Sequence, residues 1–169
     1  GQGILEFLPG SAGSTGTAKS TTVFTDQENH WVSYATDDQT PSVAFGIISQ
    51  SGSFLSISSA HIAIRLDNNI ASVTSYNNQL KKFSYNPGDV FSIFSDQENR
   101  TWNISVNGIL MYSMNIPTLG NLLIGGLIRS TSTLKNMSFS KKNYDALLVN
   151  TWFDSLNTGK VTVNLNQVG

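Results

Sequence analysis

The sequence predicts an all-β fold, an antiparallel β-sandwich of two sheets. Three observations lead there. Short runs rich in β-branched and aromatic residues recur along most of the chain, with turn formers between them. Thr101 to Val106 alternates strictly: Trp102, Ile104 and Val106 fall on one face, Thr101, Asn103 and Ser105 on the other. Asn107-Gly108 then supplies the positive φ angles of a type I′ turn, and a second strand returns. Antiparallel sheets tolerate one wet face and parallel sheets do not. About a dozen such strands require two packed layers.

In chain order the strand-like runs are 21–25, 30–35, 42–48, 54–58, 62–66, 71–76, 80–84, 90–95, 101–106, 109–116, 122–128 and 134–140. Turns are written in Asp67-Asn68-Asn69, Tyr76-Asn77-Asn78, Asn86-Pro87-Gly88-Asp89 and Asn107-Gly108, where Asn, Asp and Gly accept left-handed backbone. Residues 10–20, rich in Gly, Ser, Thr and Ala, read as a mobile loop. Residues 143–156 break the alternation. Tyr144, Leu147, Leu148, Trp152 and Leu156 have roughly helical spacing and predict one short helix near the C-terminus. Residues 161–165 return to strand character. The domain is therefore placed at 1–142, and 143–169 is an extension that packs on the sandwich or leads to a next domain. The hexapeptide Phe24-Thr25-Asp26-Gln27-Glu28-Asn29 recurs as Phe94-Ser95-Asp96-Gln97-Glu98-Asn99, and Trp31 and Trp102 follow the two copies. Convergence of two hairpins on one polar turn explains this more simply than duplication of a half-sandwich.

Composition narrows function. A chain of 169 residues is one domain's worth. Charged residues make up 12%, about half the usual share, while 23 Ser, 15 Thr and 17 Asn make about a third of the chain. Ten Lys and Arg against 11 Asp and Glu leave a net charge of −1, and the adjacent basic pairs are Lys81-Lys82 and Lys141-Lys142. Nucleic acid is therefore not an expected partner. With no cysteine, disulfides, thiolate metal sites and cysteine nucleophiles are excluded. The longest apolar run falls far short of the roughly 18 residues that span a bilayer, so no membrane insertion is expected. The chain starts Gly1-Gln2-Gly3 without an initiating Met, which makes a piece of a larger, multimeric protein the expectation.

The order of several pieces resembles the concanavalin A-like jelly roll, in its laminin-G-like and lectin-like variants. Ile4-Leu5-Glu6-Phe7 resembles the opening strand, and Ile62 to Asn69 the strand and turn in the middle of such domains. Tyr85-Asn86-Pro87-Gly88-Asp89 stands where these domains carry a Pro-Gly turn. Trp102 to Leu110 resembles their V-N-G hairpin, Leu123-Ile124-Gly125-Gly126-Leu127 their I-G-G strand, and Lys135-Asn136-Met137-Ser138-Phe139 their closing strand. The resemblance covers about residues 3 to 140. It implies a module that binds glycans or proteins, sometimes with calcium, although some members are glycosidases. Similar modules occur in host-adhesion proteins of tailed phages, which would suit this composition and would place the chain outside the cell or on a virion surface.

Catalysis finds little support. Glycoside cleavage usually needs two carboxylates, and the glucanase strand motif E-x-D-x-x-E is absent; the glutamates are Glu6, Glu28 and Glu98. His30 and His61 are the only histidines, no Gly-x-Ser-x-Gly elbow occurs, and both read as surface residues at strand ends. Asp37-Asp38 and Asp67-Asn68-Asn69 offer oxygens for calcium but match no EF-hand loop, so turn formation is the simpler account and no cofactor is expected. Glycan binding needs an aromatic platform and planar polar groups. Trp31 and Tyr34 on one strand, Tyr76 leading into Asn78, and Arg65 interrupting the apolar face of Ile62, Ile64 and Leu66 are the candidates. Arg65 must point outward there and would select an acidic or phosphate-bearing sugar. Trp102 reads as core. The expectation is a non-catalytic carbohydrate-binding module for adhesion, with these five residues on one surface and a cell-surface polysaccharide as partner. The alternative is a structural or protein-binding module.

Overall fold

The computed structural model describes residues 2–7, 15–20, 23–35, 42–50, 59–129, 133–140, 153–155 and 161–166, and the side chains of 23–33, 43–50 and 59–126. The strands are β1 (Gln2–Phe7), β2 (Thr15–Ser20), β3 (Phe24–Thr25), β4 (Trp31–Ala35), β5 (Ser42–Ser49), β6 (Ile62–Asp67), β7 (Ile70–Ser75) and β8 (Asn78–Ser84). They continue as β9 (Val90–Asp96), β10 (Thr101–Val106), β11 (Ile109–Asn115), β12 (Asn121–Arg129), β13 (Thr133–Ser140), β14 (Phe153–Ser155) and β15 (Val161–Asn166). Among the described residues they form a seven-stranded sheet, β11-β10-β9-β4-β13-β1-β15, and an eight-stranded sheet, β14-β2-β12-β5-β6-β7-β8, with β3 also on β12. The pairings in both sheets are antiparallel, as the hairpin chemistry predicts.

Alternation builds the core. Val32, Phe91, Ile93, Trp102, Ile104 and Val106 of the seven-stranded sheet meet Phe45, Ile47, Ile62, Ile64, Leu66, Val73 and Ile124 of the other. Tight turns hold the hairpins in register. Asn68 and Asn69 join β6 to β7 with φ of 53° and 67°, and Asn107 and Gly108 join β10 to β11 with φ of 51° and 80°. Asp67-Asn68-Asn69 thus forms the turn its chemistry suggests. Ala44, Ile48, Ala63 and Leu123, on the opposite parity, form a second buried cluster with Ala60.

Three expectations need correction. Residues 15–20 are not loop: they form β2, whose Lys19 to Thr15 run against Gly125 to Arg129 of β12. A ladder is made by backbone groups, so small side chains do not prevent it. Phe153–Ser155 is strand, not helix, and the rest of the expected helix, 143–152 and 156, lies outside the described residues, as do the expected strand at 54–58 and Asp37-Asp38. The residues beyond 142 contribute β14 beside β2 and β15 beside β1, at the ends of the two sheets. Finally, the histidines are not at the surface: His30 is 1% exposed and His61 5%.

The repeated hexapeptide serves two different connections. Residues 24–29 lead from β3 in one sheet to β4 in the other, whereas 94–99 belong to the β9–β10 hairpin within the seven-stranded sheet. Phe24 is core and Trp31 is not; for the second copy Phe94 is half-buried and Trp102 is core. The copies meet at one end of the sandwich. Arg100 donates to Asp26 Oδ2 at 2.9 Å, to the Asp26 carbonyl at 2.6 Å and to Gln97 Oε1 at 2.7 Å. Gln97 donates to the carbonyls of Asp26 and Glu28, and the Gly120 amide donates to Asp26 Oδ1 at 2.8 Å. Burial works against the Asp26 charge, but the Gly120 and Arg100 hydrogen bonds overcome it and hold its pKa below the ordinary value.

Candidate ligand-binding site

The outer face of the seven-stranded sheet carries an aromatic platform with a polar surround. In β9, Phe91 and Ile93 are committed to the core, so Ser92 and Phe94 point away from it. In β4, Val32 is core and Trp31 takes the outer face, directly opposite Phe94 in the register. Asn103 of β10 stands on the other side of Phe94, and Ser113 of β11 follows it. Ser33, Ser92 and Ser105 form the adjacent row. Trp31, Ser92, Phe94, Ser105, Gly108 and Leu110 line a recess of about 290 Å³. A second recess of about 320 Å³ shares Phe94 and is lined by Asn29, Ser95, Asp96, Gln97 and Glu98. The two make one groove from the β10–β11 hairpin to the β9–β10 turn.

The polar groups of this groove are preset. Ser113 donates to Asn103 Oδ1 at 2.6 Å, which fixes the amide. Asp96 accepts from the Asn99 side chain at 2.7 Å and from its backbone N–H at 3.1 Å; these bonds hold its carboxyl below the usual pKa. Asp96 is therefore ionised at neutral pH and unsuited to donate a proton as a general acid. Among the described residues no carboxylate lines the Trp31 recess, and no cluster of His, Cys, Asp and Glu could hold a metal ion.

The five residues expected on one surface are divided by the fold. Trp31 lies on the outer face of the seven-stranded sheet. Arg65 lies on the outer face of the eight-stranded sheet, since Ile64 and Leu66 beside it are core. The two faces are opposite sides of the sandwich. Tyr34 stands in register with the core residue Phe91; its side chain lies outside the described residues. Tyr76 lies in the β7–β8 turn and Asn78 opens β8, in the same sheet as Arg65 and not in Trp31's. Tyr76 has φ of 49° in a turn that usually takes Asn or Gly, and its hydroxyl meets His61 Nδ1. Ser49 Oγ holds the other ring nitrogen at 2.8 Å. Tyr76 is 54% exposed yet anchored at its tip. Asn78 is exposed at the start of β8. Phe94, Ser92, Ser105 and Leu110 were not expected in a site, although parity in β9 reveals Phe94: it is an aromatic out of phase with Phe91 and Ile93.

No protein-family model and no curated protein matches the sequence. Solved structures match its shape. Winged bean acidic lectin, solved with methyl-alpha-D-galactose, matches with a TM-score of 0.57 at 12% identity, covering 80% of this chain and 85% of the lectin. The carbohydrate-binding module CBM66 from Bacillus subtilis gives 0.51 at 9% identity, covering 79% of this chain and 99% of the module. Alginate lyase AlgAT5 of polysaccharide lyase family 7 gives 0.54 at 14% identity over 70% of this chain, which spans 62% of the lyase. At such identities the likeness concerns the fold alone.

Proposed function

Starting from a concanavalin A-like jelly roll, the fold this chain shares with lectins and carbohydrate-binding modules and also with enzymes and SPRY domains, we propose that it is a non-catalytic glycan-binding module. The observation that carries this reading is the Trp31–Phe94 pair on an outer sheet face, in one recess with Ser92 and Ser105. The apolar face of a sugar ring stacks on the aromatic pair, and the hydroxyls of Ser92 and Ser105 exchange hydrogen bonds with the ring hydroxyls. Leu110 closes one side of the recess. Binding without catalysis is the reading because the carboxylates nearby, Asp96 and Glu98, line the second recess, and among the described residues none lines the Trp31 recess. An open site of this size binds weakly, so display of several copies outside the cell on a polysaccharide-bearing surface supplies avidity.

A glycan array probed with the 169-residue chain tests this directly. Binding to a subset of neutral glycans, lost in Trp31→Ala and in Phe94→Ala with an unchanged far-UV spectrum, is the expected result. Silence across the array would favour a second reading, a protein-binding module, for which the exposed Ile109 and Leu110 at the tip of the β10–β11 hairpin would be the contact.

A further inference from the structure

On the opposite side of the sandwich, the outer face of β6, β7 and β8 holds a recess of about 440 Å³ lined by Arg65, Asp67, Ser72, Thr74, Gln79 and Lys82, among others. We infer that this recess is a separate binding site for an acidic polysaccharide. Arg65 and Lys82 take carboxylate or sulfate groups, and Ser72, Thr74 and Gln79 take ring hydroxyls. The register sets the array. Arg65, Ser72 and Lys82 form one cross-strand row, and Ala63, Thr74 and Gln79 form the next. The pleat aims these residues outward, because Ile64, Leu66, Ala71 and Val73 occupy the core side. At a strand spacing of about 4.8 Å, the backbones carrying the two cations stand about 10 Å apart, close enough for one polymer chain to meet both.

Two observations mark the recess as a site. The one ion pair among the described residues joins Arg100 to Asp26, so Arg65 and Lys82 are unpaired although Asp67 lies on the same face. Thr74 lines the recess at 6% exposure, and its Oγ1 has no hydrogen-bond partner among the described residues. A buried hydroxyl without a partner is costly, and a ligand hydroxyl entering the recess satisfies it. Asp67 accepts from sugar hydroxyls and disfavours a uniformly charged phosphate chain. Two cations in a chain of net charge −1 are too few for nucleic acid.

Titration calorimetry of the 169-residue chain with polygalacturonate, dextran sulfate and neutral dextran tests the site. One or both polyanions bind, and which one binds identifies the acidic group; neutral dextran does not compete. Arg65→Gln and Lys82→Gln, at exposed positions, each weaken binding about tenfold, the usual effect of losing a charge-assisted hydrogen bond. Thr74→Val weakens binding while raising Tm, a combination that a purely structural hydroxyl would not give. Trp31→Ala leaves polyanion binding unchanged, which keeps this site's outcome apart from that of the Trp31 groove. Absence of polyanion binding, undiminished binding in the Arg65→Gln/Lys82→Gln double variant, or equal affinity for a mixed-sequence RNA would overturn the assignment.

Discussion

Acidification should destabilise this domain well above the pH at which carboxylates titrate, and His30 is the reason. Its ring is buried between the two sheets, 4.5 Å from Phe24 by ring centroids and edge-on to Trp102. Trp102 Nε1 donates to His30 Nε2 at 2.8 Å, so Nε2 is an acceptor and the ring proton sits on Nδ1, which donates to the Glu28 carbonyl at 2.8 Å. Protonation would set one N–H against another in the core. Burial lowers the His30 pKa from 6.5 to about 4, against opposing contributions from Glu28 and Asp26. The sign follows: the unfolded chain binds the proton first, so this stability is complete above the unfolded pKa and is lost as pH falls from 6.5 towards 4. A shift of that size corresponds to about 2 kcal/mol lost by pH 5 and about 3 kcal/mol by pH 4. Domains of this kind have roughly 5–15 kcal/mol in total. Urea unfolding at a series of pH values would show the midpoint falling by about 1 M between pH 7 and 5 for an m-value near 2 kcal/mol/M. His30→Gln, which can still accept from Trp102, should remove most of that slope. His61, lowered by burial in the same direction, leaves a residual. Asp26 titrates in a separate, lower window, because its folded pKa lies below 3.8 and its contribution is lost only beneath that. A flat stability profile from pH 6.5 to 5, or a full slope in His30→Gln, would refute the reasoning.

Other outcomes follow from the same structure. Asp26→Ala takes the acceptor from the Gly120 amide and the charged partner from Arg100, which keeps the residue-26 carbonyl and Gln97 Oε1; because Arg100 is also partly exposed, the cost should be about 2 kcal/mol by chemical denaturation. A Cβ at Gly46 would lie 2.3 Å from the Ile62 carbonyl oxygen and 2.7 Å from Ala63 Cβ, so Gly46→Ala should cost about 2 kcal/mol and lower Tm. Tyr76→Phe should relax little of the fold but free His61 Nδ1, which is readable as a changed His61 resonance in NMR. EDTA should leave Tm unchanged, since a bound native-state ion would otherwise reveal itself by mass action.

Much of the fold is legible in the sequence because strand parity is a local property. Trp102, Ile104 and Val106 declare the core side of β10, and Ile62, Ile64 and Leu66 force Arg65 outward; the structure has both. Parity does not say which sheet a strand joins. Trp31 and Arg65 are both outward residues, yet strand order places them on opposite faces of the sandwich. The burial of the histidines is hidden from the sequence for a related reason. His30 finds its partner in Trp102, 72 residues away, and a polar residue satisfied at such separation has no local signature. β2 is invisible for the opposite reason: Thr15–Ser20 has no hydrophobic alternation of its own, and its strand character comes from the edge that β12 offers.

The interlock of Asp26, Gln97 and Arg100 has a consequence for how the chain folds and unfolds. It joins residues 74 positions apart, at the end of the sandwich where 26–30 and 116–120 pass between the sheets. Contacts of such separation pay their loop-closure entropy before returning any energy. They therefore tend to be made after the local hairpins β6–β7 and β10–β11. An interaction absent from the transition state acts almost wholly on the unfolding rate. Removing the Arg100 guanidinium should therefore act as the release of a latch on the finished sandwich, speeding its opening in unfolding kinetics while leaving the speed of its assembly nearly untouched.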